Sequence, residues 1–449
     1  MRASRAELRE KLLAEAAAKI DEILEWTEST PKPTLTQIEE IVLKVRQEFG
    51  QVLAQSVVNV QEGEQPVPGP RCPQCGREMH VKGRKGKGIE SRVGLVETKR
   101  HYYYCSHCRC GFFPLDEQLK VSDTSWSEAL AKNALGLLGQ VEDDMVERIL
   151  WQIGGIAVSD TSIWRRMQVW GEKFRVLEEA EAAQAMVVPV RGGVVRGESQ
   201  VARRMGVAMD GTMINVRGEG WKELKVGCVF EAETKGEAGT EEEQVHAVHN
   251  SYKALLGGPQ RFGQALWAEA SRRQLPRAQD SIVLGDGAPW IWNLASEHFS
   301  LSRQAVDWYH AKEHLYRVSH LAFGEGTAEA SRWAKGMETP LYQGQIHTVV
   351  AAIKRLAQKQ RGAAQALYKE AEYFHRNRRR MQYMELREDG FPIGSGMVES
   401  AGKQFRARLV GPGMRWSRAG AERLISVRTA ILSQRFEQLW PQAYNLPPN

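Results

Sequence analysis

Met205-Gly-Val-Ala-Met-Asp210-Gly-Thr-Met-Ile-Asn-Val216 is the stretch on whose reading the fold depends. Gly206 to Met209 are small and apolar, as in a buried strand, and one carboxylate, Asp210, interrupts the run. A lone acid there costs several kcal/mol to desolvate unless a cation or hydrogen bonds compensate it. The pattern returns in Ser281-Ile-Val-Leu-Gly-Asp286-Gly-Ala-Pro-Trp-Ile291, again a short apolar run ending in Asp-Gly. A third acid, Glu399, sits in Gly394-Ser-Gly-Met-Val-Glu399-Ser-Ala-Gly-Lys-Gln-Phe405, which reads as a glycine turn feeding a helix. Carboxylate oxygens suit hard cations such as Mg²⁺, which keep waters and leave room for a phosphate. Two such ions, roughly 3.5–4 Å apart, clamp the attacking and leaving oxygens of an in-line phosphoryl transfer.

Around this stretch the chain reads as an α/β unit. Trp221–Phe230 is a second strand, with Cys228 as a packed, inert thiol, and Gln244–Tyr252 a third. The acidic Glu231–Glu243 between them is expected to turn. A helix at 259–274, the Asp286 strand, a helix at 289–298 and a fifth strand at Gln304–His310 follow. This is the element order of an RNase H-like sheet, assigned to 203–310 and 391–435. Residues 311–390 read as an all-helical insertion, with Ile346–Gln360 and Ala363–Tyr383 as long segments. The separations, 76 residues from Asp210 to Asp286 and 113 from Asp286 to Glu399, accommodate it.

Upstream the composition changes. Cys72-Pro-Gln-Cys75 and Cys105-Ser-His-Cys108 are separated by 29 residues and flank strand-type sequence, the pattern of a zinc ribbon over 71–120. Tetrahedral Zn²⁺ takes four thiolates, and each CxxC turn presents two. Cys110 could replace one ligand, although Cys-x-Cys is tighter than the knuckle favours. His101 and His107 read as surface residues, and Lys82–Gly88 as a flexible tip able to touch phosphates. Residues 125–178 have a helix–turn–helix cadence: Met145–Ile153, a Gly154-Gly-Ile-Ala-Val158 break, then a helix capped by Ser159. That helix turns Arg165 and Arg166 outward and Ile163 and Met167 inward, as a recognition helix or an ordinary hairpin would. Residues 178–203 read as a linker. Residues 1–62 form two helices, 5–27 and 36–60, whose apolar face suits oligomerisation, with Thr36 and Glu39 matching a capping box.

The 449 residues carry a formal charge of +6 and are 42% hydrophobic, so charge alone does not specify a nucleic-acid partner. Its distribution says more. Seven Lys/Arg against one acid lie between Lys403 and Arg428, and eight against two between Lys82 and Arg109. Such patches are either phosphate-binding footprints or solvated basic faces. Cysteines clustered for metal, a charged N-terminus and the lack of a membrane-length apolar run lead us to expect a cytoplasmic protein.

In this order the pieces resemble bacterial insertion-sequence transposases of the DDE type, in particular the ISKra family, distant relatives of the Mutator-like transposases. The resemblance runs from Cys72 onward. It rests on the zinc knuckles, Met209-Asp210-Gly-Thr, Gly285-Asp286-Gly-Ala-Pro-Trp290, Asp307-Trp-Tyr-His310 and Gly394-Ser-Gly-Met-Val-Glu399. It implies cleavage and strand transfer at the terminal inverted repeats of a mobile element. Asp210, Asp286 and Glu399 would hold Mg²⁺ or Mn²⁺, and the four cysteines a structural Zn²⁺. Asp307 and His310 match the family's Asp-x-x-His, which either contacts the scissile phosphate or orders a loop; His314 reads as helix surface. Lys403 and Arg406, at i+4 and i+7 from Glu399, would hold the DNA backbone, together with Arg408 and Arg415. Trp290 and Trp416 either stack on an unpaired base or pack in the core. The partners implied are double-stranded terminal and target DNA and a second copy of the chain, in a nucleoid-associated assembly. Two other classes compete, a catalytically silent transposase-derived regulator and another RNase H-like nuclease such as a resolvase. The intact acid set opposes the first, and the separate zinc and helix–turn–helix modules oppose the second.

Overall fold

The computed structural model describes residues 5–62, 69–187, 204–236 and 243–447. The described residues group into two compact units, one within Met1–Val169 plus Tyr444–Asn449 and one within Trp170–Ala443.

In the first unit α1 (Arg5–Ser29) and α2 (Leu35–Glu62) form a hairpin. The capping box lies two residues earlier than expected. The Thr34 N–H donates to Gln37 Oε1 at 3.0 Å, and the Gln37 N–H to Thr34 Oγ1 at 3.4 Å. Thr36 is already inside α2. No residue of α1 is buried, and Leu13, Ile20 and Leu24 stand exposed.

The cysteine region is a three-stranded antiparallel sheet of β1 (His80–Ser91), β2 (Gly94–Cys105) and β3 (Cys110–Phe112), in that order. The long gap between the knuckles is thus a β-hairpin. In Lys82–Gly88, expected as a flexible tip, Lys82 sits at a bulge and Gly83–Gly88 pair along β2 from Tyr102 to Glu97. Glycine and lysine are poor strand formers, so the partner strand, with Val96, Thr98 and three tyrosines, imposes the conformation. Then come α3 (Pro114–Gln118), α4 (Glu128–Leu138), α5 (Asp143–Gly154) and α6 (Asp160–Val187). Gly155 closes α5 at φ +63°, and Ser159 Oγ accepts the Ser162 N–H at 3.3 Å, capping α6 as expected. Ile163 and Met167 are buried. Residues 178–187 belong to α6 rather than to a linker, and the rest of that linker lies outside the described residues.

The second unit holds β4 (Arg204–Val216), β5 (Gly220–Gly236), β6 (Glu243–Leu255), α7 (Pro259–Arg272), β7 (Asp280–Gly285), α8 (Pro289–His298) and β8 (Arg303–Val306). After them run α9 (Trp308–Phe323), α10 (Ala328–Tyr342), α11 (Ile346–Lys359), α12 (Ala364–Asn377), α13 (Tyr383–Glu388), α14 (Gly396–Leu409), α15 (Arg418–Leu432) and α16 (Phe436–Asn445). The five strands form one mixed sheet in the order β6-β5-β4-β7-β8. β4, β5 and β6 are antiparallel, while β4, β7 and β8 run parallel. β5 continues to Gly236, so the first half of the acidic stretch expected to turn, 231–236, is strand, and 237–242 lie outside the described residues.

Alternation along β4 sends Met205, Val207 and Met209 into one core with α7 and α8. Asp210 points the other way, toward α14, where its Oδ2 is 3.8 Å from where a Cβ at Gly402 would stand. Leu315, Leu341, Val349, Leu367 and Phe374 share that first core with Val283 and Val306. Residues 311–390 hold α9 to α13 between β8 and α14 and pack on the sheet's own core. The fifth strand is also shorter than expected. It ends at Val306, and Asp307 to His310 open α9.

Candidate functional site

The cysteine site is built by two matching turns. In the first, the Gly76 N–H donates to the Cys72 carbonyl at 2.8 Å and the Cys72 N–H to the Arg77 carbonyl at 2.7 Å. Gly76 (φ +70°) and Arg109 (φ +55°), each just after the second cysteine of its pair, take the left-handed conformation that lets the turn fold back. The Sγ atoms of Cys72, Cys75, Cys105 and Cys108 all lie within 4.8 Å of one another. Burial works to raise the Cys72 thiol pKa, but the N–H groups of Cys75 and Gln74 outweigh it and hold it at about 6. Cys108 is pushed up to about 12, first by its hydrogen bond with Cys75. Four thiolates cannot coexist at this spacing without a cation, so the donor set fits a structural zinc ion. Cys110, opposite Cys105 across the β2–β3 pair, lies 3.6 Å from Cys72 through sulfur.

Beside it, β1 presents Lys82, Arg84 and Lys85 on an exposed edge, with Lys85 4.7 Å above the Tyr102 ring. Lys87 turns inward to Asp116 at 3.3 Å. His107 is exposed, as expected. His101 is not a surface residue: it is buried, and Arg84 Nε donates to its Nε2 at 2.6 Å.

The acid centre follows from strand register. Met209 pairs with Gly285, and Gly285 with Val306, and there the parallel ladders stop. The next residue on each strand is an aspartate: Asp210, Asp286 and Asp307. Asp286 and Asp307 leave the sheet at the carboxyl ends of β7 and β8, and Asp210 stands beside them within β4, which continues to Val216 paired only with β5. Asp210 Oδ1 accepts the Gly211 N–H at 2.7 Å. Its pKa is raised, by burial first and then by Asp286 and Glu399, against the pull of Gly211 and His310. Asp286 Oδ1 accepts the Ala288 N–H at 2.8 Å, and the Tyr373 hydroxyl donates to the Asp286 carbonyl at 3.1 Å. Glu399, in the first turn of α14, accepts the Ser395 hydroxyl at 3.1 Å. At Asp210 the neighbouring Asp286 and Glu399 add to burial in disfavouring the ionised form, a crowding that a divalent cation would relieve.

Asp307 is fully buried. One oxygen caps α9 by accepting the His310 N–H at 2.7 Å, and the other accepts the N–H of Ser395. Of the two roles open to the Asp-x-x-His pair, this arrangement is the loop-ordering one for Asp307. Its ligand oxygens, His310 and Glu399 nevertheless lie within 4.8 Å of one another, a spacing that Asp210 and Asp286 do not share with Glu399 among the described residues. His310 Nδ1 is 3.3 Å from Glu313. His314, read as helix surface, stacks on Tyr373 at 3.6 Å, with Nδ1 2.6 Å from Glu370 Oε2. Tyr373, Glu370 and Ser395 carried no motif in the sequence; only the Gly-Ser-Gly turn hinted at Ser395.

The basic residues divide. Lys403, Arg406 and Arg415 are exposed, as is Arg165. Arg408 is not on that surface: it is 3% exposed, with its guanidinium 5.5 Å over the Trp416 ring. Trp416 Nε1 donates to the Leu409 carbonyl at 2.7 Å, so this pair closes the α14–α15 loop. Arg166 is likewise drawn in, donating to Ser125 Oγ at 2.8 Å beside Trp126. Trp290 is packed, edge-on to Phe262 at 5.8 Å and under the Lys225 ammonium at 4.4 Å. No helix among the described residues is long and apolar enough to cross a membrane. No protein-family model matches the chain, and no curated protein is significantly similar to it.

Proposed function

We propose that the chain is a DDE-type DNA transposase built on an RNase H-like core. The observation that carries this reading is the approach of Asp210, within β4 where its parallel pairing ends, and Asp286, just past the end of the adjacent parallel strand β7, to Glu399 from α14. The strand order β6-β5-β4-β7-β8, three antiparallel and then parallel, supports the core assignment.

Asp210, Asp286 and Glu399 would hold Mg²⁺ or Mn²⁺. When bound, the ions supply an activated water or 3′-hydroxyl and stabilise the leaving oxygen of an in-line displacement. The chain's own residues do the rest. Asp307 and Ser395 fix the turn from which Glu399 projects, and Tyr373 holds the backbone of Asp286. Lys403 and Arg406, exposed one and two turns beyond Glu399, take the backbone phosphates of a terminal-repeat duplex. No nucleophilic side chain is required. The edge strand β1, with its lysines over tyrosine rings, and Arg165 of α6 supply further DNA contacts. Exposed Leu13, Ile20 and Leu24 of α1, with Val42 of α2, support self-association of the kind needed to pair two element ends. Such a protein works in the bacterial cytoplasm, on the nucleoid.

The test is Mg²⁺- or Mn²⁺-dependent cleavage of a terminal-repeat duplex by wild type and by Asp286→Ala. Cleavage that disappears in the variant while binding persists supports the reading. Binding without cleavage by the wild type replaces it with a DNA-binding regulator.

A further inference from the structure

The amino end of β8 has a charge arrangement that the acid centre does not use. Ser302, Gln304, Arg376, Arg378, Arg379 and Arg380 line a depression of about 430 Å³. It contains four guanidinium groups and no carboxylate. The depression is at the other end of β8 from Asp307, about 10 Å away at the usual rise per strand residue.

Arg380 forms its floor. Its Nε donates to Gln304 Oε1 at 2.8 Å, and its guanidinium lies 4.5 Å over the Trp292 ring. Burial lowers its pKa, because the charge is partly withdrawn from water with no acid beside it. Arg378 donates to the His375 carbonyl at 2.8 Å, and Arg376 approaches Glu372 only at 3.6 Å. Arg379 is exposed and has no protein partner among the described residues.

A purely solvated basic face would extend its arginines into water. Here one is held inward by stacking and an amide, and the other three rim the opening around it. Like charges packed on one turn repel unless an anion joins them. Guanidinium forks match phosphate oxygens bidentately, which a carbonyl or an aromatic face cannot do.

We propose that Arg376, Arg378 and Arg379, above the Arg380–Gln304 floor, form a DNA-backbone phosphate site separate from the catalytic centre. This rests on the DNA reading above and extends it. Duplex engaged at the acids would continue past the outer strand of the sheet and be held there without regard to sequence.

The experiment measures duplex affinity by fluorescence anisotropy against salt concentration, for a terminal-repeat duplex and an unrelated one. Wild type is compared with Arg376→Gln/Arg378→Gln/Arg379→Gln and with the single Arg379→Gln. Each lost phosphate contact lowers the slope of log K against log salt by about 0.9. The triple variant should lose about 2 to 3 in slope on both duplexes, and the single variant about 1. Unchanged slopes in both variants overturn the site while leaving the DNA reading intact. A loss confined to the terminal-repeat duplex also overturns it, because that is base readout. A wild type that binds neither duplex removes the DNA reading and the site together. Unchanged thermal midpoints establish that the variants fold.

Discussion

Asp307 accepts the backbone N–H of Ser395, 88 residues further along the chain, and with its other oxygen the N–H of His310 at 2.7 Å. One buried carboxylate thus joins the carboxyl end of β8, the first turn of α9 and the turn that launches α14. Asp307→Ala leaves two backbone donors unpaired at about 1–3 kcal/mol each, so a loss of roughly 2–6 kcal/mol is expected. Asp307→Asn retains an acceptor oxygen and should lose roughly half as much. Urea unfolding compares them; equal stability of all three forms would show that the contact does not organise the fold.

Asp210 supplies a pH dependence of definite sign. Burial first, then Asp286 and Glu399, raise its pKa in the folded protein. A raised pKa means a stability contribution that is full below the ordinary aspartate value near 3.8 and lost as pH rises through the folded one. Without metal at neutral pH, Asp210→Asn should therefore be more stable than wild type, and the gap should close as the pH falls into the ordinary carboxylate range. Added Mg²⁺ should stabilise wild type and leave the variant unmoved. Thermal melts with and without a chelator read both effects, and a wild type that is the more stable without metal contradicts the crowding argument.

The zinc ligands separate from their neighbour by substitution. Cys72→Ser should abolish bound zinc and unfold the β1–β3 sheet, since metal binding there is folding free energy. Cys110→Ser should keep one zinc per chain. Substituted Co²⁺ gives a tetrathiolate absorption that checks the assignment, and its loss in the Cys110 variant would transfer a ligand role to that residue.

Basic residues of one helix should behave in opposite ways. Lys403→Ala and Arg406→Ala change exposed residues, so stability should stay within about 0.5 kcal/mol while duplex affinity falls. Arg408→Ala removes a buried side chain stacked on Trp416 and should destabilise by about 1–3 kcal/mol. Paired melting and binding curves distinguish them; a destabilised Lys403 variant would place its side chain in the packing instead.

Arg408 also shows what sequence reading can and cannot reach. It lies nine residues beyond Glu399, a half-turn out of phase on a helix, so the helical wheel already opposed grouping it with Lys403 and Arg406; a count of charges hid this. The acids are legible because each Asp-Gly interrupts a short apolar run, at the end of β7 for Asp286 and within β4 for Asp210. Asp307-Trp-Tyr-His310 reads as strand because its aromatics suit a sheet, while the capping hydrogen bond depends on where β8 ends. For 311–390, periodicity told which faces are apolar but not that β7 and β8 cover them. Lys82–Gly88 lacks strand propensity altogether and takes its conformation from β2. Tyr373 and Glu370 act through tertiary contact, which no local spacing encodes.

Tyr373 carries the last prediction. Its hydroxyl donates to the Asp286 carbonyl, its ring stacks on His314, and it lies over Gly287, whose φ of +104° bends the chain there. Burial raises its pKa, with Asp286 and Asp307 adding to the effect, so the hydroxyl stays protonated and donating across the working range. Tyr373→Phe removes one hydrogen bond and keeps the stack, a cost of about 0.5–1.5 kcal/mol. If that bond holds Asp286 in place for the metal, up to roughly tenfold in cleavage rate goes with it. The Mg²⁺ concentration for half-maximal cleavage should rise as well, while duplex affinity measured without metal stays constant. A purely structural role would shift the melting temperature and leave the Mg²⁺ dependence where it was, which would sever Tyr373 from the acid centre.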